Sequence, residues 1–550
     1  MPPSQAIAQQ SDILAQVGER IRERIDRRNG ADGFHCQGEL LCGIQMIPAF
    51  YESRRFVPFW LDSQGLKPVG LAMVRQLQQV DADGLRPADY HLDTVTSLLD
   101  VLSIPDGALT LAGLVGAWAD LELLLTDAFL LLSAHLTRGR VNPETLHADW
   151  VLTEHTIDVV KILQMVVAEA QLFQIIEGLQ PSHRGYDGLR TALGQMRERV
   201  FQGGWPLVPA GPTLKVGDQD VRVVVLRHRM VIGGDLPSWD WTDTPERFDE
   251  ALQAAVMRFQ QRHGLTPDGL VGRKTLQAMN VTALDRLRQI ELNLERWRWL
   301  PNDLGERYII VNTADFDLRM VADGRIVMQM RVVVGRPHRK TPVFSSPLTH
   351  LVLNPQWNVP FTNMVEDMLP RIREDVGYLA AQGIKVYRGW DADSPAIDPW
   401  EIDWSAYNKR RFPFRFVQES GPLNALGRIQ FMLPNKFAVF LHDTPSRNLF
   451  GRVQRDFSSG CIRMEDAFGL ARLLLSEDPA WPPEKLRAAL DNGRRRVVPL
   501  KSRIPVHLLY MTAWVDDEGV LQFREDIYER DGLLAKALGK RLPTEGIAYY

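Results

Sequence analysis

The chain has 550 residues, which is too many for one hydrophobic core, because single cores stop growing at roughly 250 to 300 residues. Two to four domains are therefore expected. Hydrophobic residues make up 45% and charged residues 24%, a composition that is typical of globular proteins and excludes disorder on a large scale. The 64 Lys and Arg residues nearly balance 68 Asp and Glu residues, and the net charge of -4 excludes a global attraction to nucleic acid or to an anionic membrane.

The N-terminal residues contain no visible targeting segment, because residues 1–16 lack both a basic stretch and an apolar stretch. We therefore expect that any signal or anchor segment has been removed from this sequence. The most apolar run, 107–119, is shorter than the about 20 residues that a membrane span needs, so it predicts a buried helix.

The cysteines and histidines do not form a metal-binding pattern. Neither CxxC nor HExxH occurs, and the 12 histidines are scattered, so no metal and no cofactor is predicted. Cys36 and Cys42 are close enough in sequence to form a local disulfide in an oxidising compartment, or they are two reduced, buried thiols. Cys461 stands alone.

Residues 1–210 are predicted to form a helical scaffold domain. Apolar residues recur at three- and four-residue spacing in 11–28, 71–79 and 111–136. The stretch 203–212 is dense in glycine and proline, which indicates a domain boundary.

A small helical module is predicted at 211–281. Apolar residues lie on one helical face over 248–263, and Asp268, Gly269 and Gly272 predict tight turns before a helix over 273–279. This text resembles the three-helix peptidoglycan-binding module, and the residues that carry the resemblance are Ala255, Val256, Phe259, Gln260 and 263–275. The alternative is a helical spacer that binds no ligand.

A linker helix over 282–304 is predicted next, and a mainly-β domain over 305–545 follows it. The helix is amphipathic, with Leu287, Ile290, Leu292 and Leu294 on its apolar side. From residue 307 onward the apolar residues tend to alternate with a period of two. This pattern predicts strands at 308–312, 316–320, 327–334, 351–354 and 437–441, and such short strands favour a sandwich or a barrel-like sheet. Residues 364–420 break this pattern and are predicted to be an insertion that caps the sheet. The predicted fold class is therefore a multidomain α+β protein.

The residues with the clearest chemistry lie between 440 and 464. His442 ends an apolar strand, and Cys461 follows Gly460 and precedes a predicted helix over 465–475. A helix N-terminus and a nearby imidazole both favour the nucleophilic thiolate, and main-chain N–H groups at Gly460 and Cys461 are predicted to bind an oxyanion. Arg463 is predicted to bind a substrate carboxylate or to hold the loop.

This stretch resembles the signature of the L,D-transpeptidase (YkuD-type) family, a histidine followed after a short gap by Ser/Thr-X-Gly-Cys-hydrophobic-Arg/Asn. Here His442 and 458–463 fill the pattern. The fit extends to 334–336, 341–342, 354–360, 421–427 and 504–507. With the module before it, the chain is similar to the large modular branch in Gram-negative bacteria. It departs from many smaller relatives at Asp443, where those have glycine, so the difference concerns the local loop and not the nucleophile.

The resemblance implies a peptidoglycan L,D-transpeptidase that forms 3→3 cross-links through a cysteine thioester. Cys461 is the nucleophile, His442 is its base, and Gly460 and Ser459 complete the catalytic residues. The implied substrate-binding residues are Arg463, Ser458, Trp357, Asn358, Phe440 and Thr444. Trp357 is equally compatible with a core aromatic residue, and Arg336 and Thr341 are expected to be structural.

The implied partners are peptidoglycan stem peptides, a tetrapeptide as donor and a diaminopimelate amine as acceptor. Carbapenems are implied covalent inhibitors, other cell-wall synthesis enzymes are further candidate partners, and no nucleic acid is expected. The implied location is the Gram-negative periplasm, and the implied process is cell-wall synthesis that maintains cell shape.

Three alternatives stay open at the level of sequence. The same nucleophile could transfer the acyl group to water, as an L,D-carboxypeptidase, or to a protein amine, because the shape of the site and the exclusion of water set the acceptor. A catalytically silent wall-binding scaffold is the third alternative. A papain-like protease is disfavoured because there the cysteine precedes its histidine by more than a hundred residues.

Overall fold

The computed structural model describes residues 3–27, 34–104, 109–151, 157–166, 168–237, 244–391 and 393–539. Helices dominate the N-terminal part and one large sheet dominates the C-terminal part, so the predicted α+β class is confirmed. Across these ranges, no helix combines the length and the apolarity that crossing a bilayer requires.

The N-terminal scaffold is a set of helices packed around one long buried helix. Its helices are α1 (Pro3–Asp26), α2 (Met46–Ser53), α3 (Pro68–Gln79), α4 (Leu92–Leu102), α5 (Leu111–Arg138), α6 (Val159–Met165), α7 (Glu169–Leu179) and α8 (Arg184–Phe201). Two short hairpins are formed by β1 (His35–Cys36) with β2 (Glu39–Leu40) and by β3 (Leu61–Asp62) with β4 (Gly65–Leu66). α5 is buried mainly over 119–137, after the apolar run that predicts a buried helix. Within that run Leu109 and Leu111 are exposed, and 107–108 lie outside the described residues.

Carboxylates inside α5 are tolerated because they have main-chain partners. Glu122 accepts hydrogen bonds from the amides of Phe59, Trp60 and Leu61 at 3.0, 2.7 and 2.9 Å, and from the hydroxyl of Tyr51 at 2.7 Å. A buried carboxylate with four donors loses little when water is removed. α5 therefore organises the loops around it through hydrogen bonds as well as through apolar packing.

Cys36 and Cys42 are both free thiols, and both are buried beside α5. The Sγ of Cys36 lies 2.9 Å from Oδ1 of Asp120. Of the two alternatives for this pair, the structure shows the reduced, buried thiols.

The small helical module contains α9 (Arg222–Gly233), α10 (Glu250–Arg262) and α11 (Arg273–Met279). Gln260 holds its tight turn, because the side-chain amide of Gln260 donates to Oδ1 of Asp268 at 2.8 Å and its Oε1 accepts from the amide of Gly269 at 2.8 Å. Gly269 has a φ of +72°, a conformation that glycine adopts without strain. The motif residues Gln260, Asp268 and Gly269 therefore stabilise the tight turn of this module.

α12 (Ala283–Trp297) follows the module, and its charged residues depart from the simple amphipathic prediction. Glu295, Arg296 and Arg298 at its C-terminal end are almost fully buried. Glu295 pairs with Nη1 of Arg298 at 2.7 Å and accepts from the amides of Arg140 and Val141 in the scaffold at 2.5 and 2.9 Å. The C-terminal end of the helix is therefore buried against the scaffold, and its charged residues there do not face solvent.

The catalytic region is built on a mixed sheet that returns to its own first strands. Its strands are β5 (Arg307–Asn312), β6 (Asp317–Ala322), β7 (Arg325–Gly335), β8 (Phe344–Leu353), β13 (Ile429–Met432), β14 (Leu441–His442), β15 (Asp456–Ser458), β16 (Ile462–Met464) and β17 (Arg496–Leu509), with β9–β12 in the insertion described next. The order is β15-β7-β16-β14-β13-β8-β17-β5-β6, and β6 also pairs with the long strand β7. This closure makes the sheet barrel-like, one of the two predicted forms.

The insertion has a small sheet and an apolar core of its own. It comprises β9 (Trp357–Asn358), a π-helix (Asn363–Met368), α13 (Leu369–Glu374), α14 (Gly377–Ala381), β10 (Ile384–Arg388), β11 (Ala396–Ile397) and β12 (Phe414–Gln418). Its strand order is β11-β10-β12-β9, and Trp404, Phe414 and Phe416 pack in its core. It is an independently packed layer beside the main sheet.

The remaining elements complete the C-terminal region. They are α15 (Ala467–Leu474), α16 (Pro483–Asp491), β18 (Ala513–Val515), β19 (Leu521–Phe523) and α17 (Arg530–Gly539).

Two predicted boundaries near the motif are wrong. The strand predicted over 437–441 is limited to β14, because the side chain of Asn435 bonds the main chain of Val439 and Phe437 in a turn. The predicted helix over 465–475 begins only at Ala467.

Candidate active site

Strand pairing brings the motif histidine next to the strand that directly follows the motif cysteine. β14 runs parallel to β16, with Leu441 opposite Ile462 and His442 opposite Arg463. Leu441 and Ile462 are fully buried in the core, and side chains alternate along a strand. His442 and Arg463 therefore face away from the core, together with Cys461, which immediately precedes β16.

The imidazole of His442 is held in one tautomer. Its Nδ1 lies 2.5 Å from the main-chain carbonyl oxygen of Asp443, and because a carbonyl only accepts, Nδ1 carries the proton and donates it. Nε2 then carries the lone pair in the neutral ring. Burial and the nearby Arg463 lower the pKa of His442 to about 3, against the opposing hydrogen bonds to the carbonyls of Asp443 and Leu426. The ring is therefore neutral at physiological pH and can accept a proton.

Cys461 is a thiol rather than a preformed thiolate. Burial raises its pKa to about 11, although a hydrogen bond from the main chain of Phe440 and the charge of Arg463 act in the opposite direction. The predicted help from a helix N-terminus is absent, because β16 follows the cysteine and α15 begins only at Ala467. The residue is partly exposed, so a substrate can reach it.

The loop before the cysteine is fixed by hydrogen bonds to its main chain. Ser458 donates through Oγ to the carbonyl of Cys461 at 2.5 Å and accepts from the amide of Gly460 at 3.1 Å. Gly460 has a φ of +118°, which a residue with a side chain rarely adopts. Thr341 donates through Oγ1 to the carbonyl of Gly460 at 2.9 Å and accepts from the amide of Gly335 at 2.9 Å.

These bonds decide which amide is available to an oxyanion. The N–H of Gly460 is already used by Ser458. The N–H of Cys461 has no acceptor among the residues that the structure describes. Gly460 therefore contributes the turn, and the amide of Cys461 is the free donor beside the sulfur.

Ser459 points toward the insertion. Its Oγ accepts from Nη1 of Arg339 at 3.0 Å and from Nδ2 of Asn363 at 3.2 Å. Arg339 also pairs with Asp367 at 2.5 Å and with Glu366 at 2.9 Å, and both acids belong to the π-helix. Arg339 and its partners were not predicted from the sequence, although Arg339 lies between the family-like segments 334–336 and 341–342.

Arg463 is a cation beside the thiol, and no ion pair of its guanidinium occurs within the described ranges. Its Nε is buried and has no hydrogen-bond partner there. Burial lowers its pKa, whereas the neighbouring Cys461 acts to raise it. A guanidinium in this state favours an anionic group of a bound substrate.

The other predicted substrate-binding residues occupy different places. The ring of Phe440 contacts the ring of His442 edge-on, with centroids 5.6 Å apart. Trp357 and Asn358 form β9 in the insertion, where Trp357 packs against the apolar core and Asn358 is exposed. Thr444 is buried and accepts from the amide of Ser446 at 3.2 Å, so it shapes the turn after His442.

Asp443, the departure from the motif, ties two loops together. Its Oδ2 accepts from the amide of Arg428 at 2.9 Å, and its carboxylate lies 3.5 Å from Nη1 of Arg447. A glycine could make neither contact. The local loop thus has its own anchoring, while the carbonyl of residue 443 still orients the imidazole.

Three family models match the chain. Residues 306–483 match "L,D-transpeptidase catalytic domain", residues 45–193 match "Scaffold domain", and residues 239–279 match "Putative peptidoglycan binding domain". The first range contains both His442 and Cys461. The chain therefore carries a YkuD-type catalytic domain and a peptidoglycan-binding type of module.

Similar proteins carry related names. A curated protein of Haemophilus influenzae named "Putative L,D-transpeptidase" is 35% identical over 244 residues, which cover 44% of this chain and 48% of that protein. The match thus spans about half the length of this relative.

Two crystal structures of L,D-transpeptidases are also similar. The one from Stackebrandtia nassauensis is 12% identical, with a TM-score of 0.21, and the match covers 55% of this chain and 97% of that one. The one from Xylanimonas cellulosilytica is 14% identical, with a TM-score of 0.16, and the match covers 55% and 99%. Scores this low do not establish a shared overall arrangement.

Proposed function

We propose, from the premise that residues 306–483 form an L,D-transpeptidase catalytic domain, that this chain cross-links peptidoglycan stem peptides through a thioester on Cys461. One observation carries the proposal. A neutral imidazole with its Nδ1 proton fixed ends strand β14, and β14 pairs with strand β16, which begins immediately after a partly exposed cysteine. This is the arrangement of a nucleophile and its general base.

Acylation begins when Sγ of Cys461 attacks the carbonyl carbon at the L-centre of the third stem residue, diaminopimelate. As the sulfur–carbon bond forms, the thiol proton passes to Nε2 of His442. The tetrahedral intermediate then collapses, the bond to the terminal D-alanine breaks, and the proton moves from His442 to the departing amine. A thioester remains on Cys461.

Deacylation uses the same two residues. The side-chain amine of a second diaminopimelate attacks the thioester, and His442 accepts a proton from that amine. The carbon–sulfur bond breaks, and His442 returns the proton to the sulfur. The product is a 3→3 cross-link, and the enzyme regains its neutral pair.

The surroundings of the sulfur support both steps. The free amide of Cys461 is suitable for the oxyanion, and one such donor lowers a barrier by roughly 3 to 4 kcal/mol. Arg463 is suitable for a carboxylate of the stem peptide. The same thiol would open the β-lactam ring of a carbapenem and keep the acyl group. Because peptidoglycan is the proposed substrate, we also propose that the small helical module binds peptidoglycan and that the protein acts in the periplasm.

The test is an incubation of the purified protein with disaccharide tetrapeptide, followed by mass spectrometry of the muropeptides. We expect cross-linked dimers and released D-alanine with the wild type and with Cys36→Ala, a control at a buried thiol. Cys461→Ala should form neither product. If only tripeptides and no dimers were formed, the activity would be hydrolysis and not cross-linking.

A further inference from the structure

A second candidate site lies away from the catalytic cysteine, in a cavity of about 470 Å³ where three regions meet. Its walls come from the helical module with the adjoining helix α12, from α8 of the scaffold and from the hairpin of β18 and β19. We propose that this cavity binds an oxyanion group, a carboxylate or a phosphate, of a small ligand. The inference goes beyond the proposed function, because it assigns a site outside residues 306–483.

The cavity wall has an excess of positive charge. Five arginines and three carboxylates line it, and these residues are Arg199, Arg229, Arg258, Arg262, Arg286, Asp235, Asp516 and Glu518. An enclosed site with one prevailing sign of charge concentrates ions of the opposite sign. The wall therefore favours an anion.

Arg229 is the residue that points to a ligand most directly. Its side chain is only 1% exposed, and its Nη1 has no hydrogen-bond partner. Nε donates to the carbonyl of Met279 at 3.1 Å, and the guanidinium lies over the ring of Trp205 at 4.0 Å. The guanidinium is thus fixed on one edge and one face, while one charged donor of a buried side chain is left unsatisfied.

The nearby carboxylates are committed elsewhere. Asp235 binds Nε and Nη2 of Arg262 at 2.6 Å each. Asp516 accepts from the amides of Glu518 and Val520 in its own turn, at 3.0 and 2.9 Å. No carboxylate within the described ranges is hydrogen-bonded to Arg229.

The pKa shifts of two wall arginines agree with a shortage of negative charge in the cavity. Burial and the charge of Arg262 lower the pKa of Arg229 to about 9, and the same two causes lower the pKa of Arg286 to about 9. Both guanidinium groups would be stabilised by an added negative charge. Carboxylate and phosphate groups fit a guanidinium best, because two of their oxygens match its two N–H directions.

The test titrates the whole chain with two separate probes, inorganic phosphate and N-acetyl-D-alanine, by isothermal titration calorimetry in a buffer of low ionic strength. We expect saturable binding of at least one probe at one site per chain. Binding of phosphate alone assigns a phosphate ligand, and binding of N-acetyl-D-alanine assigns a carboxylate ligand. Neither probe is a substrate of the proposed reaction, so the result is independent of catalysis.

Variants locate the binding. Arg229→Met should weaken it at least about tenfold, which corresponds to 1.4 kcal/mol, while Arg273→Met, at an exposed arginine of the same module, should leave it unchanged. Arg199→Met, at a partly exposed wall residue, should weaken it several-fold even where Arg229→Met fails to fold. Absence of saturable binding with both probes, or equal affinity in Arg199→Met and the wild type, would overturn the proposal.

Discussion

The pair of Cys461 and His442 is neutral at rest, since the pKa of the thiol is raised to about 11 and that of the imidazole is lowered to about 3. Both shifts arise mainly from burial, which penalises the charged form of each group. Proton transfer must therefore accompany the attack of sulfur on the substrate. A neutral thiol also resists adventitious alkylation and oxidation, because the thiolate is the reactive form.

Alkylation of the free protein should show this pKa directly. A raised thiol pKa means that the thiolate fraction grows only as the pH rises toward about 11, so the rate with iodoacetamide should still be increasing above pH 9. The rate is measured from the mass of the peptide that contains Cys461, with Cys461→Ala as the blank. A plateau reached below pH 8 would mean that a thiolate is already present at neutral pH.

Arg463 should act on the charged group of the substrate rather than on the chemistry. In Arg463→Met we expect KM for the tetrapeptide to rise about tenfold or more with a smaller change in kcat, because one charge-assisted contact is worth roughly 1.5 to 3 kcal/mol. Amidating the stem-peptide carboxylates should raise KM for the wild type and have little further effect on the variant. An equal rise in KM on amidation in the wild type and in Arg463→Met would show that Arg463 does not bind the substrate carboxylate.

At this scale the sequence identifies the reacting residues but not their ionisation. The spacing of His442, Gly460 and Cys461 is local information, and the parallel pairing of β14 with β16 places apolar Leu441 opposite apolar Ile462. The pKa of the thiol is raised by burial, which depends on the tertiary structure. The predicted helix is replaced by strand β16, and one of the two strands that pair with β16 is β7, more than a hundred residues away.

At the scale of elements, the insertion is attached to the loop of the cysteine through Arg339 and Asn363, which both donate to Ser459. Arg339 pairs with Glu366 and Asp367 of the π-helix and also donates to Ser459, two residues before the nucleophile. Glu366 additionally binds Nζ of Lys409 at 2.8 Å. These contacts therefore link the position of the insertion to the position of the loop.

Arg339→Gln should loosen this attachment. We expect faster amide exchange over the π-helix Asn363–Met368 and a loss of about tenfold in kcat/KM, which corresponds to 1.4 kcal/mol. Arg410→Gln, at an exposed arginine of the same insertion, is the matched control and should change neither quantity. Unchanged exchange in Arg339→Gln would show that the apolar core of the insertion holds it in place without this contact.

The insertion itself is only partly readable in the sequence. Its departure from the strand pattern predicts where it lies, but its small sheet joins β9, β10, β11 and β12 across long stretches of chain. Trp357 illustrates the consequence, since a tryptophan near the motif is as compatible with a substrate contact as with a core. Its packing against the insertion core follows only from the tertiary structure.

At the scale of the whole molecule, helix α12 connects the scaffold to the catalytic sheet through buried charge. Glu295 binds main-chain amides of the scaffold and Arg298, and Nη2 of Arg296 lies 2.6 Å from Asp531 near the C-terminal helix. A second connection is a main-chain bridge between Trp150 of the scaffold and Val343 of the sheet. These contacts join regions that the sequence presents as separate domains.

Glu295→Leu should therefore destabilise the packing of α12 against the scaffold. Removing the carboxylate leaves the buried guanidinium of Arg298 without its charge partner, a change that costs roughly 3 to 5 kcal/mol. The measurement is the free energy of unfolding of this region from urea titration. Glu374→Gln, at an exposed position, should stay within about 0.5 kcal/mol of the wild type. A similarly small effect of Glu295→Leu would show that the ion pair is dispensable.

The succession of regions could be predicted from changes in period and composition, but their docking could not. Arginine and glutamate on a helix normally indicate a solvent face, and only the structure shows that Glu295, Arg296 and Arg298 face inward. Arg229 in the module is a similar case, because its burial against Trp205 depends on the approach of the segment before the module.

The central claim is that the sulfur of Cys461 forms the acyl-enzyme. Its most direct measurement is the intact mass of the protein after mixing with a carbapenem, for the wild type, Cys461→Ala and Cys36→Ala. We predict a mass gain of one acyl group in the wild type and in Cys36→Ala, mapped to the peptide of Cys461, and no gain in Cys461→Ala. An equal gain in Cys461→Ala, or none in the wild type, would contradict the claim.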